Sequence, residues 1–177
     1  MGEIKIFGYI IVAVLFLSII IMPLVEAFLV YRERLMLSDA LYSSCRVAAE
    51  ASNKYRDMIN INAEVYKKSF CEAFGETFAT SFGLNYVGMS GDILTFEPLP
   101  TNDAYDNFTV ELDFDSSYVP IHYDISRGTK TFTMVTVDAE SQYKFKTRFM
   151  GYFHRLAPGI VYYELCSKQE YLMVVTN

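Results

Sequence analysis

The positions at which this 177-residue chain could do chemistry are few: two histidines, three cysteines and some spaced acidic residues. His122 and His154 lie far in sequence from any Ser, Asp or Cys pattern that would make a triad or a metal site, so each reads as a surface or hydrogen-bonded sheet residue. Asp113, Asp115, Ser117 and Asp124 fall at positions one, three, five and twelve of a calcium loop. Position six, where such a loop turns on Gly, is Tyr118, and the stretch alternates like a strand, so it is not an EF-hand. No glycine motif that cradles phosphate occurs. The expectation is a protein that is not an enzyme and holds no cofactor or metal.

Cys45, Cys71 and Cys166 form an odd set without the paired spacing of a zinc site. A head outside the cytoplasm would permit one disulfide. On one straight helix Cys45 and Cys71 would stand about 39 Å apart, against the roughly 7 Å a bridge spans between Cα atoms. A bridge would therefore join Cys166 to a helical cysteine, with Cys71 preferred because it is nearer the head; the alternative is three buried free thiols. Lys144, Lys146 and Arg148 make a basic stripe, read either as a solvated strand face or as a surface for acidic residues of a neighbour. Asn107-Phe108-Thr109 is a glycosylation sequon. A net charge of −6 argues against nucleic acid as a partner, because phosphate binding needs a basic surface.

The elements that would position these groups begin with an apolar run. Residues 9–25 contain no charged side chain, and with Ile6, Phe7 and residues 27–31 they supply the roughly 20 apolar residues that cross a bilayer as a helix. Two readings compete, a retained transmembrane helix and a cleaved signal peptide with Val25-Glu26-Ala27 at its end. The run exceeds the usual length of a signal core, and helical pattern continues beyond it, which favours retention. Pro23 removes one backbone hydrogen bond and should kink the helix. Glu26 sits at the interface, where an acidic group is a candidate for a specific role. Lys5 against Arg32 and Arg34 mildly favours a cytoplasmic C-terminus.

From Arg32 to about Asn60 the periodicity stays helical. Leu37, Leu41, Ala48, Tyr55 and Ile59 fall on one stripe, widened by Ser44, Ala51 and Met58. Asp39, Arg46, Glu50 and Asp57 oppose it, with Arg46 and Glu50 spaced for an ion pair. The stripe either packs on the chain's own sheet or, where Ala48, Ala49 and Ala51 allow close approach, on other subunits. Asn60-Ile61-Asn62 reads as a break. A second helix then carries Tyr66, Phe70, Phe74 and Phe78, and Gly83 is its C′ residue. Beyond it the period becomes two. Residues 84–87 and 93–96 flank a Ser90-Gly91-Asp92 turn, and further strands are expected at 108–114, 118–123, 130–137, around Tyr143 and Phe145, at 161–165 and at 171–175. Short connections imply mostly antiparallel pairing.

The order Pro23, Glu26, Tyr31, Ala40, Arg46, Ala48, Ala49 resembles the TadE-like pseudopilins of tight-adherence pili. There an apolar helix containing proline is followed by an acidic residue, an aromatic, basic residues and an alanine-rich helix with an Arg. Met134-Val135-Thr136-Val137 and Tyr143-Lys144-Phe145 are similar to that family's closing strands. The resemblance implies an extracytoplasmic head and a role in assembling a type IV-like filament. Gly2 and Glu3 are adjacent, unlike the spaced Gly and Glu of pilin-type precursors, so the N-terminus is expected to escape prepilin processing. The expected fold is α+β: an anchor over 1–31, a stalk helix and second helix over 32–82, and an antiparallel head over 83–177. The expected packing residues are Pro23, Glu26, Tyr31, Ala40, Arg46, Ala48, Ala49 and Ala51. The expected partners are the membrane and other pilin-like subunits or copies of the chain. The alternative is a solitary membrane-anchored extracytoplasmic binding or sensor module.

Overall fold

A helical stripe and an alternating sheet face each need something to bury against, and here they bury against each other. The computed structural model describes residues 2–52, 63–102, 104–115, 130–157 and 163–176. Helix α1 (Gly2–Ser52) runs without interruption through Pro23. From Ile6 it is long and apolar enough to cross a membrane, and no residue of its most apolar stretch is buried among the described residues. Beyond that stretch one face turns inward: Leu37, Leu41, Ser44, Cys45 and Ala48 are fully buried. Ser44 and Ser52 donate their hydroxyls to the carbonyls of Ala40 and Ala48, so neither brings an unmet polar group into the core.

Helix α2 (Ala63–Phe82) packs on α1. Its Phe70, Phe74, Phe78 and Phe82 recur every four residues and stack along one face, with centroids 6.5, 5.8 and 5.8 Å apart. Those rings meet Phe96, Phe108 and Phe114 of the sheet edge-on, the geometry that ring quadrupoles favour. Gly83 ends α2 with φ +67°, the left-handed conformation of a C′ glycine. Asn102 Nδ2 donates to the Phe82 carbonyl 3.1 Å away and so satisfies part of the helix end.

The sheet is an antiparallel meander in the order β1 (Leu84–Ser90), β2 (Ile93–Pro98), β3 (Phe108–Asp115), β4 (Lys130–Tyr143), β5 (Tyr163–Thr176). Gly91, with φ +64°, opens the two-residue turn between β1 and β2. Alternation sends Val110, Leu112, Val135, Val137, Ala139 and Leu165 into the core and Glu111, Asp138 and Glu140 outward. A short helix, α3 (Arg148–Leu156), joins β4 to β5. The architecture is thus α+β, with helices on one face of a five-stranded sheet.

The core takes in Leu37, Leu41 and Ala48 of α1, the phenylalanines of α2 and the inner residues of the sheet together, as one of the two readings of the stripe expected. Several expectations change. The two closing strands are one, β5, and the strand pattern at 130–137 and Tyr143 is also one, β4. Residues 144–147 leave the sheet and lead into α3, which the alternation of Tyr143 and Phe145 concealed. The break at Asn60-Ile61-Asn62, Tyr55, Ile59, the strand at 118–123, His122, Ser117 and Asp124 lie outside the described residues.

Of the two readings of the alanine face, the structure shows packing within the chain. Ala40, Ala48 and Ala49 are buried in this chain's own core, and Ala51 is half-buried, so the small face closes on the protein itself. Replacement Ala48→Leu adds three carbons to a full core and is expected to destabilise the fold by about 1–3 kcal/mol. Denaturant titration of the detergent-solubilised chain measures this; an unchanged midpoint would show that the site has room.

Candidate functional site

The polar groups that the fold gathers are carboxylates on α1, and they sit where the helix first touches the head. Glu26 and Glu33 are seven residues apart, two turns and about 10.5 Å along one face, in line with Val30, Leu37 and Ser44. Both carboxylates are buried. A buried charge is tolerable only when bonded. Glu26 accepts the backbone N–H of Lys146 at 2.9 Å and of Thr147 at 3.1 Å. Thr147 precedes α3, and its Oγ1 lies 3.4 Å from the Met150 N–H, so the Glu26 charge also faces the positive end of a helix dipole.

Glu33 accepts a short hydrogen bond from the Tyr105 hydroxyl, one from Arg32 at 2.9 Å and one from Lys146 Nζ at 3.2 Å. Lys146 therefore serves both carboxylates, one through its backbone and one through its ammonium group. The Tyr143 hydroxyl is buried near enough to Glu26 to feel its charge, and among the described residues it has no partner in hydrogen-bonding geometry. Burial, then the hydrogen bond to Glu33, pushes the Tyr105 phenol well above its ordinary range. Burial, then the neighbouring Glu26 charge, does the same to Tyr143. For Glu33, burial raises the pKa, but the bonds from Tyr105, Arg32 and Lys146 outweigh it, so the net shift is downward.

Further along α1 the contacts continue as a seam. Arg34 donates to the Glu164 carbonyl at 2.9 Å, Gln169 donates to the Ser38 hydroxyl at 2.8 Å, and Tyr42 meets Tyr171 edge-on at 5.6 Å. These residues recur every four positions on α1, one per turn, and run along β5. Nothing in the cluster pairs a nucleophile with a base. Its chemistry is that of a latch, in which a folded head is fixed to a helix by charge-assisted bonds.

Among the expected packing residues, Glu26 alone joins this latch. Pro23 is half-buried one turn below it, Tyr31 is exposed, and Arg46 is exposed and paired with Glu50 at 3.5 Å. Lys144 and Lys146 do not form a free basic stripe; they pair with Asp106 at 2.8 Å and Glu33 at 3.2 Å of this same chain. His154 lies on α3, not in the sheet, with its ring 5.5 Å from that of Phe145. The bridge between Cys71 and Cys166 is not formed. All three cysteines are free, Cys45 and Cys71 in the core and Cys166 on the exposed side of β5, because alternation turns it away from buried Leu165. Burial of Cys71, on the inward face of α2, pushes its thiol up to about 11, which disfavours the reactive thiolate.

Glu33, Tyr105 and Tyr143 are missed by sequence reasoning. The signal for Glu33 is its seven-residue spacing from Glu26 on the same face as Leu37 and Leu41. On the outer side of β3–β5 there is an open groove of about 620 Å³ lined by Asp106, Thr109, Glu140, Gln142, Glu164 and Cys166, among others. No protein-family model, curated protein or solved structure matches the chain.

Glu33→Ala leaves the buried Tyr105 hydroxyl without its acceptor, while the half-exposed Lys146 and Arg32 turn to water, and is expected to cost about 1–3 kcal/mol. Arg46→Ala, at an exposed pair, is expected to cost less than about 0.5 kcal/mol. The pH dependence follows from the directions of the shifts. Glu33 contributes stability above the ordinary carboxylate range, and that contribution is lost as pH falls through its lowered pKa. Tyr105 and Tyr143 contribute stability that is complete below pH 10, the ordinary phenol value, and is lost above it as the unfolded phenols ionise first. Thermal melts against pH should therefore fall on both flanks, and Tyr105→Phe should blunt the alkaline one.

Proposed function

We propose that the chain is a membrane-anchored, pilin-like subunit that acts in a type IV- or Tad-like surface filament by packing its helix against other such helices. In this reading α1 is retained as a single membrane span, the head lies outside the cytoplasm, and the protein carries out no reaction. One observation carries the proposal. On the side of α1 opposite the latch, Leu17, Ile21, Leu24, Phe28, Tyr31 and Leu35 are spaced 4-3-4-3-4, the pattern of a coiled-coil seam.

Within the anchor any stripe would be apolar, so the informative part is what lies beyond Val25. Phe28, Tyr31 and Leu35 are 67%, 60% and 50% exposed. Phe28 and Tyr31 carry the stripe to the end of the 1–31 anchor, and Leu35, beyond it, would stand in water unless another surface covers it. A neighbouring helix with the same stripe covers them and continues the seam from lipid into the stalk. The alanines cannot serve this purpose, being occupied by the core. The free surface is aromatic and leucine-rich.

The resemblance of Pro23, Glu26, Tyr31 and Arg46 to the TadE-like order supports the same reading. The latch gives Glu26 its role: it fixes the head so that the outer stripe faces outward. Leu35→Glu removes one seam contact worth about 1.5–3 kcal/mol and is expected to lower filament incorporation about tenfold or more, with the head's unfolding midpoint unchanged. Shearing cells and blotting the released filaments reads this out. Protein found only in membranes, for the native chain as for the variant, would instead identify a solitary binding or sensor module.

A further inference from the structure

At the end of the head nearest the anchor, the described side chains of α3 leave apolar surface exposed. In α3, Phe149, Tyr152, Phe153 and Leu156 follow the i, i+3, i+4, i+7 spacing of one apolar face. Tyr152 and Leu156 are 59% and 65% exposed. His154, on the other side of the helix, packs its ring against that of Phe145 in the head.

The position of α3 is set by the latch. The N–H groups of Lys146 and Thr147 bind Glu26, which directly follows the apolar run. Residues 6–25 make 20 helical residues, about 30 Å at 1.5 Å each, the thickness of a hydrocarbon core. A helix tied to Glu26 therefore begins at the edge of that core. Charge agrees with this placement. Residues 144–156 contain Lys144, Lys146, Arg148 and Arg155 and no acidic residue, in a chain of net charge −6. Lys144 and Lys146 are engaged by Asp106 and Glu33, while Arg155 is exposed in the last turn.

We infer that α3 is a membrane-interface helix, a collar beside the anchor whose apolar face, with Tyr152 and Leu156, enters the boundary between headgroups and acyl chains. The occupant of that face is lipid, and Arg155 favours anionic headgroups. The inference rests on the reading of α1 as a membrane span. With the latch it gives the head two fixed points, one on the helix and one on the bilayer, which sets the height and tilt of the outer stripe.

The chain contains no Trp, so a single introduced indole reports its own surroundings. The full chain is reconstituted in phosphatidylcholine–phosphatidylglycerol vesicles as four variants: Tyr152→Trp and Leu156→Trp in α3, Leu15→Trp in the anchor and Val87→Trp on exposed β1. With α3 in the interface, the indoles at 152 and 156 emit at shorter wavelength than the one at 87. They also lose most of their intensity when the phosphatidylcholine is brominated on its acyl chains, as the one at 15 does. Water-like, unquenched emission at 152 and 156, with position 15 quenched, would overturn the collar and leave the anchor standing. Short-wavelength emission that bromine does not quench would also overturn it, because protein and not lipid would then cover the face. An unquenched position 15 would remove the membrane span itself, and the collar with it.

Discussion

Two carboxylates buried on one helix, and the obligation to satisfy them, govern how the rest of this protein is arranged. An uncompensated buried charge costs more than most single packing contacts return, so Glu26 and Glu33 hold α1 in place only if the head presents donors at matching heights. It does so with the backbone of Lys146 and Thr147, the Lys146 ammonium group and the Tyr105 hydroxyl. The donors come from the loops after β2 and after β4, far apart in sequence, so the latch closes only once the sheet has formed. The hydrophobic core of α1, α2 and the sheet supplies the bulk of the stability. Directional bonds at the end next to the apolar stretch specify where on the helix the head sits.

That arrangement divides α1 by face as well as by length. Along its length, the helix passes from a stretch that is unburied among the described residues to one that lies in the core. Around its circumference, the side with Glu26, Glu33, Leu37 and Ala48 is committed to the chain itself, and the side with Phe28, Tyr31 and Leu35 is not. An anchor attached through a flexible linker would present no fixed face to its neighbours. A helix with a head clamped to one side presents the same opposite face every time, and that is the physical basis for reading the outer stripe as an assembly surface.

The sequence discloses this fold unevenly, for identifiable reasons. The apolar run, the helical stripe through Leu37, Leu41 and Ala48, the phenylalanine ladder of α2, the Gly83 terminus and the Ser90-Gly91-Asp92 turn are all set by local periodicity or by backbone conformation, and these are visible in one dimension. Ala48 and Ala49 read correctly as a close-packing face. Whether the close partner is the chain's own core or another subunit depends on tertiary placement, and the same small side chains serve both. Lys144 and Lys146 look like a solvated stripe because their acidic partners are Asp106 and Glu33, one of them more than a hundred residues away. Glu33 is hidden for a related reason: flanked by Arg32 and Arg34, it looks like part of a surface charge cluster, and only its register with Glu26 marks it as inward. α3 is hidden by Gly151 and by the strand-like alternation that leads into it.

The central claim is that the head is fastened to α1 through Glu26, and amide hydrogen exchange at the fastening reads it directly. With the full chain in a lipid bilayer, the Lys146 and Thr147 amides should exchange as slowly as those in the middle of β4. Glu26→Gln should accelerate these two selectively while the β4 amides stay protected. Rapid exchange at Lys146 and Thr147 in the native chain, at the rate of an unbonded loop, would contradict the account.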